Sequence, residues 1–347
     1  MINKKEFIRL IDLNIKSKIP FVVYKFGKKD LVSCIIGKST RIKCSELDKK
    51  NGFIFMPFDS SENGIYIQPQ KKVITQSVFQ SAFNNTIKYT HTNFQNKKKE
   101  YVSYVSQVIK NLKKHKLRKI VASTCLEYNI QDVSKSEIFM RLISLNPSAF
   151  SYMFFSEETG VWIGASPEQL VEITKNKLTA HALAATKTNY HQKWSNKELN
   201  EQQIVLNDMI NNLAKYCNDI TSSKLQTVSA ANLLHLRNSI TAKPNGKISE
   251  IINSLHPTPA VAGSPKLPSV KYILKNEDYN RKYYTGYLGI INDNDCNLFV
   301  NIRCAQIIGN KLKVFVGAGI TAESIPENEW DEILEKSKTI LRIFSPC

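Results

Sequence analysis

The chain has 347 residues, 42% hydrophobic and 10% aromatic, enough apolar surface for a sizeable core, which excludes a disordered chain and fits one large or two ordinary domains. Its 48 Lys and Arg against 30 Asp and Glu leave a net charge of +18, as expected for a partner that is nucleic acid, an anionic membrane surface or a small acidic molecule. No apolar run approaches the roughly 18 residues of a spanning helix, and the start has no apolar block of the kind a secretory signal needs.

Residues 1–13 alternate apolar and charged side chains, and the start of the chain reads as an amphipathic helix with Phe7, Leu10, Ile11 and Ile15 on one side. Pro20 to Phe26 and Gly52 to Phe58 are dense in β-branched and aromatic residues and read as strands. The stretch from Gln76 to about Lys99, rich in Asn, Thr, Gln and Lys, reads as a surface connection. It separates an N-terminal part, 1–100, from the rest, 101–347. A helix follows over Glu100 to Leu117, with Tyr101, Val105, Val108, Ile109 and Leu112 at helical spacing.

Lys119 to Thr124 reads as a strand and Val133 to Leu145 as a helix. Strands over 151–155 and 161–165 flank a hairpin at Glu157 to Gly160, and Gln169 to Thr174 is a third strand that pairs back from Leu178. Lys187 to Asn196 is a loop into a long helix, with Ser195 and Glu198 at capping-box spacing. Asn297 to Arg303 and Lys311 to Ala318 read as strands around Gly309-Asn310, and a last helix runs from about Glu327 to Phe344. Many antiparallel strands mixed with helices predict an α+β protein.

Cysteines at 34, 44, 125, 217, 296, 304 and 347 form no Cys-x-x-Cys pair. They read as reduced, mostly buried thiols of a cytoplasmic protein. The clusters Lys97-Lys98-Lys99 and Lys113-Lys114-His115-Lys116 are short and lack interleaved aromatics, so they read as solvated surface. A basic nucleic-acid-binding protein is the competing class, and its affinity would fall steeply with salt.

Among chemistry-bearing residues, Glu329 and Glu332 lie three apart with Lys336 four further on, and Glu198 and Glu201 repeat the spacing. Paired carboxylates on two helices could hold Mg²⁺ through oxygen ligands; the same pattern also suits solvent-facing acids at helix starts. Val316-Gly-Ala-Gly-Ile lets backbone N–H groups approach an anion but is no nucleotide fingerprint. Arg303, among apolar neighbours in a strand, wants a carboxylate, from an ion pair or from a ligand.

Taken in order, these and other segments resemble the chorismate-utilising enzymes. The resemblance runs from about Lys116 to the C-terminus. It is carried by Leu117-Arg-Lys-Ile-Val-Ala-Ser, Gly164-Ala-Ser-Pro-Glu-Gln-Leu, Lys197-Glu-Leu-Asn-Glu and Leu234-His-Leu, then by His256-Pro-Thr-Pro-Ala-Val-Ala-Gly, Arg281 and Gly286 to Gly289. Ile302-Arg-Cys-Ala, Gly317-Ala-Gly-Ile and Glu329-Trp-Asp-Glu-Ile-Leu-Glu-Lys close it. The resemblance implies one large α+β domain with two similar sheet-and-helix halves sandwiching the active site, acting as a monomer. Residues 1–100 would be the N-terminal part of that single domain and 101–347 its catalytic part.

By the same resemblance, Lys119 would be the general base activating water at C2 of chorismate, and Glu168 the general acid for the departing C4 hydroxyl. Glu201 and Glu332 would be Mg²⁺ carboxylates with Glu329 close by. Arg303, Lys336 and the backbone of Gly317, Ala318 and Gly319 would cradle the substrate carboxylates, with Ala260, Val261, Thr186 and His235 adding to the substrate surface. A lysine has an ordinary pKa near ~10.4, so a basic one needs desolvation or nearby cations, here expected from Arg303, Lys336 and Mg²⁺. A glutamic acid needs an apolar wall, expected from Trp162 and Leu170.

Ala260 stands where anthranilate and salicylate synthases carry Thr, and no amidotransferase domain is expected, so the implied activity is Mg²⁺-dependent conversion of chorismate to isochorismate, for menaquinone or a siderophore. The alternatives are salicylate, anthranilate or aminodeoxychorismate synthase component I. Departures from the family pattern are Ala185 and Ala242 in place of glycines, Thr124 in place of arginine, and Asn238 in place of threonine.

Overall fold

Antiparallel strands are the commonest regular element of the chain, as its runs of β-branched and aromatic residues predict. The structure, a computed structural model, describes residues 1–76, 86–114, 117–187, 193–230 and 233–346. Helix α1 (Lys4–Lys16), started by a capping box between Asn3 and Glu6, precedes β1 (Phe21–Lys25), β2 (Leu31–Ile42), β3 (Asn51–Met56) and β4 (Gly64–Gln76). Next come β5 (Lys88–His91), α2 (Phe94–Lys114), β6 (Lys119–Ile130) and α3 (Lys135–Leu145). Strands β7 (Phe150–Ser156), β8 (Gly160–Ser166), β9 (Gln169–Thr174) and β10 (Lys177–Lys187) lead to α4 (Asn196–Leu213). Then follow β11 (Cys217–Ser222), β12 (Gln226–Ala230), β13 (Leu233–Pro244), α5 (Ile248–Leu255), β14 (Gly263–Ser264) and α6 (Lys266–Asn276). The chain ends with β15 (Tyr287–Asn292), β16 (Asp295–Val300), β17 (Cys304–Ile308), β18 (Lys311–Ile320), α7 (Pro326–Leu341) and β19 (Ser345–Pro346).

The strands form one hydrogen-bonded network that doubles back on itself. One half runs β6–β18–β17–β8–β7–β1–β2. Strand β4 pairs with both β2 and β3 and carries the network into the second half, β3–β15–β16–β9–β10–β13. Helices α1, α2, α3 and α7 cover the outer face of the first half, with Phe7, Tyr101, Phe139 and Trp330 in its core. Helices α4 and α5 cover the second through Val205, Met209, Leu213, Ile251 and Leu255.

Between the inner faces lies an aromatic layer. Phe55 stacks on Tyr283 at 4.2 Å and Trp162 on Phe315 at 5.1 Å. The chain is therefore α+β, with two sheet-and-helix halves face to face.

Two expectations need correction, and the two parts of the domain are joined through shared strand pairing. Residues 86–99 are more than a connection. Strand β5 pairs with β6, Tyr89 and His91 pack on Tyr128, and α2 begins at Phe94, whose ring meets Trp330 at 5.5 Å. Ile87 is buried in the core and Tyr89 and Phe94 are partly buried against it, contacts that the polar composition concealed; residues 77–85 lie outside the described residues. The strand expected over 297–303 stops at Val300, because the Asn301 side chain accepts from the Tyr152 hydroxyl (2.6 Å) and donates to the Tyr283 carbonyl (2.8 Å). Arg303 consequently sits outside any strand at φ +52°. Finally, residue 100 falls inside α2, and the N-terminal strands β1 and β3 pair with β7 and β15 of the later chain.

Candidate active site

Each polar side chain at the site is aimed by a different local device. Lys119 opens β6, which is paired with β14 on one edge (Ser264 opposite Lys119) and with β18 on the other. Glu168 sits in the turn between β8 and β9. Its N–H donates to the Ser166 hydroxyl oxygen (3.2 Å), and that hydroxyl donates to the Val300 carbonyl (2.6 Å), tying the turn to β16. Glu201 projects from the second turn of α4, whose start is fixed by the Ser195/Glu198 capping box. The next residue, Gln202, donates to the Ala182 carbonyl and the Asn238 side-chain oxygen, each at 2.9 Å. Glu329, Glu332 and Lys336 lie along α7, whose other face is buried through Trp330, Ile333 and Ile340.

These elements enclose a cavity of about 390 Å³. Lys119, Glu168, Glu201, Glu329, Glu332, Arg303, Lys336, Gly317, Gly319, Ala260, Val261 and His235 all line it. Ala318 does not: alternation along β18 turns its methyl into the core beneath α2 and α7. Thr186 belongs to β10, but its side chain is outside the described residues. Also in the lining are Pro167, Ser195, Glu198, Tyr284, Thr285 and Phe315. In the sequence Ser195 carries only a helix-start signal, Glu198 pairs with Glu201 as a possible cation carboxylate, and Tyr284–Thr285 lie between the quoted Arg281 and Gly286.

Two lysine–glutamate pairs dominate the electrostatics. Lys119 Nζ lies 2.5 Å from Glu201 Oε1, and Lys336 Nζ lies 2.5 Å from Glu332 Oε1. Lys119 thus has a carboxylate as its direct partner, with Arg303 and Lys336 lining the same cavity. Lys336 also donates to the Gly317 carbonyl at 3.0 Å. That carbonyl points away from β6, so the Gly317 and Gly319 N–H groups share the open edge of β18 beyond the end of β17. The glycines have a second, steric reason. A Cβ on Gly319 would lie 2.6 Å from Lys119 Cε, and one on Gly317 would lie 3.0 Å from the Tyr284 hydroxyl.

Glu168 is buried, and burial pushes its carboxyl up to about 7, against the opposing pull of Lys119, Lys336, Arg303 and the Thr258 hydroxyl. The cause is burial of the carboxyl within the protein, for which the sequence pointed to an apolar wall. Trp162, expected to supply it, is instead stacked in the aromatic layer and absent from the lining. Arg303 Nη1 donates to the Lys336 carbonyl (3.1 Å) and the Thr339 hydroxyl oxygen (3.3 Å), not to a carboxylate. Burial lowers its guanidinium to about 10. A partly buried guanidinium without a bound carboxylate carries a desolvation cost, and an anionic ligand entering the cavity would relieve it. His235 Nδ1 lies 2.9 Å from the Ala185 carbonyl, and burial holds the imidazole down at about 4, so it is neutral at pH 7.

Ala185 itself adopts φ +56°, in the region where the resemblance places glycine and where a Cβ is strained. As for a cation, Glu201, Glu329 and Glu332 offer hard oxygen donors around one cavity, though among the described residues no three acidic, His or Cys side chains converge closely enough to form a complete cage. Such a donor set fits Mg²⁺, which keeps waters and takes one or two carboxylates together with substrate oxygens.

A profile described as chorismate binding enzyme matches residues 59–345. Isochorismate synthase MenF of Haemophilus influenzae is 27% identical over 269 residues, covering 74% of this chain and 63% of that protein, so the match spans under two thirds of that relative. The vibriobactin-specific isochorismate synthase of Vibrio cholerae is 27% identical over 323 residues, covering 86% of this chain and 80% of that one. A crystal structure of a putative 2,3-dihydroxybenzoate-specific isochorismate synthase, DhbC, from Bacillus anthracis superposes with a TM-score of 0.81 at 23% identity, covering 97% of this chain and 99% of that chain.

Proposed function

We propose that this chain, which belongs to the chorismate binding enzyme family, converts chorismate to isochorismate. The observation that carries the reading is a buried glutamic acid, its carboxyl pushed up to about 7 by that burial, sharing a cavity with Lys119 and with a partly buried guanidinium hydrogen-bonded only to a carbonyl and a hydroxyl. Arg303, Lys336 and the N–H groups of Gly317 and Gly319 would bind the two substrate carboxylates. Lys119 would take a proton from water as its oxygen bonds to C2. The ring double bonds shift, the C4–O bond breaks, and Glu168 gives its proton to the departing hydroxyl, which leaves as water. One water is consumed and one released, so the product is an isomer. A positioned acid and base are each worth roughly 10²–10⁴-fold.

Glu201 and Glu332, with Glu329 nearby, would hold Mg²⁺, which when bound offsets repulsion between a dianionic substrate and a carboxylate-rich pocket. Ala260 lines the cavity where Thr would mark the salicylate- and anthranilate-forming relatives. The reading is of a monomeric cytoplasmic enzyme, without an amidotransferase or nucleic-acid partner, feeding menaquinone or, secondarily, a siderophore. No described helix is long and apolar enough to cross a membrane.

The test is incubation with chorismate, with and without Mg²⁺, resolving products by chromatography and assaying pyruvate. Mg²⁺-dependent isochorismate without pyruvate is expected. Salicylate with pyruvate would move the chain to another branch of the family, and no turnover would refute the enzymatic reading.

A further inference from the structure

Three segments distant in sequence bring the base, the substrate turn and the guanidinium to the cavity, and one buried ion pair holds them all. The side chains of Glu277, one residue past α6, and Arg281 are each 2% exposed and meet at 2.6 Å. The guanidinium makes five hydrogen bonds. Nε and Nη2 donate to the Glu277 carboxylate (2.7 and 2.6 Å), Nη2 also to the Val121 carbonyl (2.8 Å), and Nη1 to the Val261 carbonyl (2.9 Å) and Thr285 Oγ1 (3.1 Å). Glu277 Oε1 accepts from both the N–H and the hydroxyl of Ser123, at 3.0 and 2.7 Å. The Thr285 N–H donates to the Asn301 carbonyl at 2.7 Å, two residues before Arg303.

Neither Glu277 nor Arg281 lines the cavity, so any role in turnover acts through the groups they hold. A buried ion pair is poor as a source of stability, since desolvation offsets most of its attraction and an apolar pair often does as well. An apolar pair would, however, leave the Val121 and Val261 carbonyls and the Ser123 amide without these partners. Nor would it set the spacing of the three segments.

We infer that Glu277–Arg281 is a positioning pair that fixes the Lys119 strand, the Ala260–Val261 turn and the Arg303 segment relative to one another. The inference rests on the function proposed above. Arginine suits this task because its planar fork presents five donors in fixed directions, whereas lysine carries three on one freely turning nitrogen.

The experiment compares the full chain with Arg281→Lys and Glu277→Gln, each checked for folding by circular dichroism melting above the assay temperature. The readouts are steady-state kinetics with chorismate and amide hydrogen exchange. Arg281→Lys keeps the charge and loses the fork. Its kcat is expected to fall about 10–100-fold, since a misplacement near ~1 Å costs roughly 10²-fold. KM should stay within about threefold, because Arg303 and Lys336 keep their own contacts. Exchange should quicken together in the strand after Lys119, the 260–264 turn and residues 284–303.

Wild-type kcat in a folded variant, or faster exchange confined to residues 277–285, overturns the inference. If Arg281→Lys does not fold, Glu277→Gln decides by the same readouts. Absence of turnover in the wild type would defeat the proposed function instead, and hydrogen exchange would still decide the positioning role.

Discussion

The two walls of the cavity are built differently. The wall of β6, β18 and the segments around Val261 and Arg303 is sheet backed by a buried ion pair, and its lysine is largely enclosed, with a side chain 10% exposed. The wall of β10, β13 and α4 is a helix laid on strands through Gln202, with Ala185 at positive φ and a Glu201 side chain 22% exposed. The first is suited to hold reacting groups at fixed distances, where small errors cost most. The second, like the carboxylates of α7, presents acids toward the opening. There they can exchange a lysine partner for a cation and substrate without a large burial penalty. Precision and exchange are thus assigned to different groups around one cavity, the carboxylates of α7 standing beside β18 itself.

Substitutions can break or sharpen that contrast. Lys119→Ala, on the rigid wall, should reduce kcat by about 10³–10⁴-fold, the upper range for a proton-transfer group, while Mg²⁺-dependent chorismate binding by calorimetry stays near wild type. A wild-type rate would remove Lys119 as the base.

Glu168→Gln should cost about 10²–10³-fold and also change the pH response. The carboxyl titrates near 7 in the folded chain against 4.5 as the ordinary value. The folded state therefore holds a proton over this window that the unfolded chain has lost. The stability due to this group is complete below about 4.5 and is lost as pH rises through about 7. Denaturant melts across that window should show the slope in the wild type and its absence in Glu168→Gln, and the fall in kcat/KM above pH 7 should likewise disappear in the variant.

Gly319→Ala puts a methyl 2.6 Å from Lys119 Cε. We expect about a 10–100-fold loss of kcat from a displaced lysine, with only a small change in melting temperature; full activity would mean that the lysine reacts from elsewhere.

On the exchanging side the effects should be smaller. Glu332→Gln is expected to raise the half-saturating Mg²⁺ concentration about tenfold, because charge count sets affinity for hard cations. An unchanged Mg²⁺ titration would reject Glu332 as a ligand. Smallest is Ala185→Gly, which relieves a Cβ at φ +56° and should stabilise the chain by about 1 kcal/mol, a rise of a few degrees in melting temperature. A loss of stability there would mean that the positive φ carries no strain.

Much was legible from residue order alone. Apolar periodicity located α1, α2, α4 and α7, because burial on one face writes itself into spacing of 3.6. Runs of β-branched and aromatic residues located strands such as β1, β3, β6 to β9 and β18, while β2, β4, β11 to β13, β15 and β17 went unread. The Ser195/Glu198 capping box was readable because its partners are three residues apart. Lys119, Glu168, Glu201, Glu332, Arg303 and Lys336 were picked out as candidates by ordered motifs, although acids at helix starts look alike whether or not they face a cavity.

What tertiary structure alone decided is how charge is shared among those residues. The pairing of Lys119 with Glu201 joins residues 82 apart, and the Ser123–Glu277 bond joins residues 154 apart. No local pattern encodes such contacts. The end of β16 at Val300 depended on a Tyr152 hydroxyl 149 residues earlier, and the inward turn of Ala318 on strand register. The sequence by itself determined which chemistries the chain could carry. Only the fold decided which groups are desolvated, and desolvation is what raises one carboxyl to about 7 and leaves a guanidinium waiting for an anion.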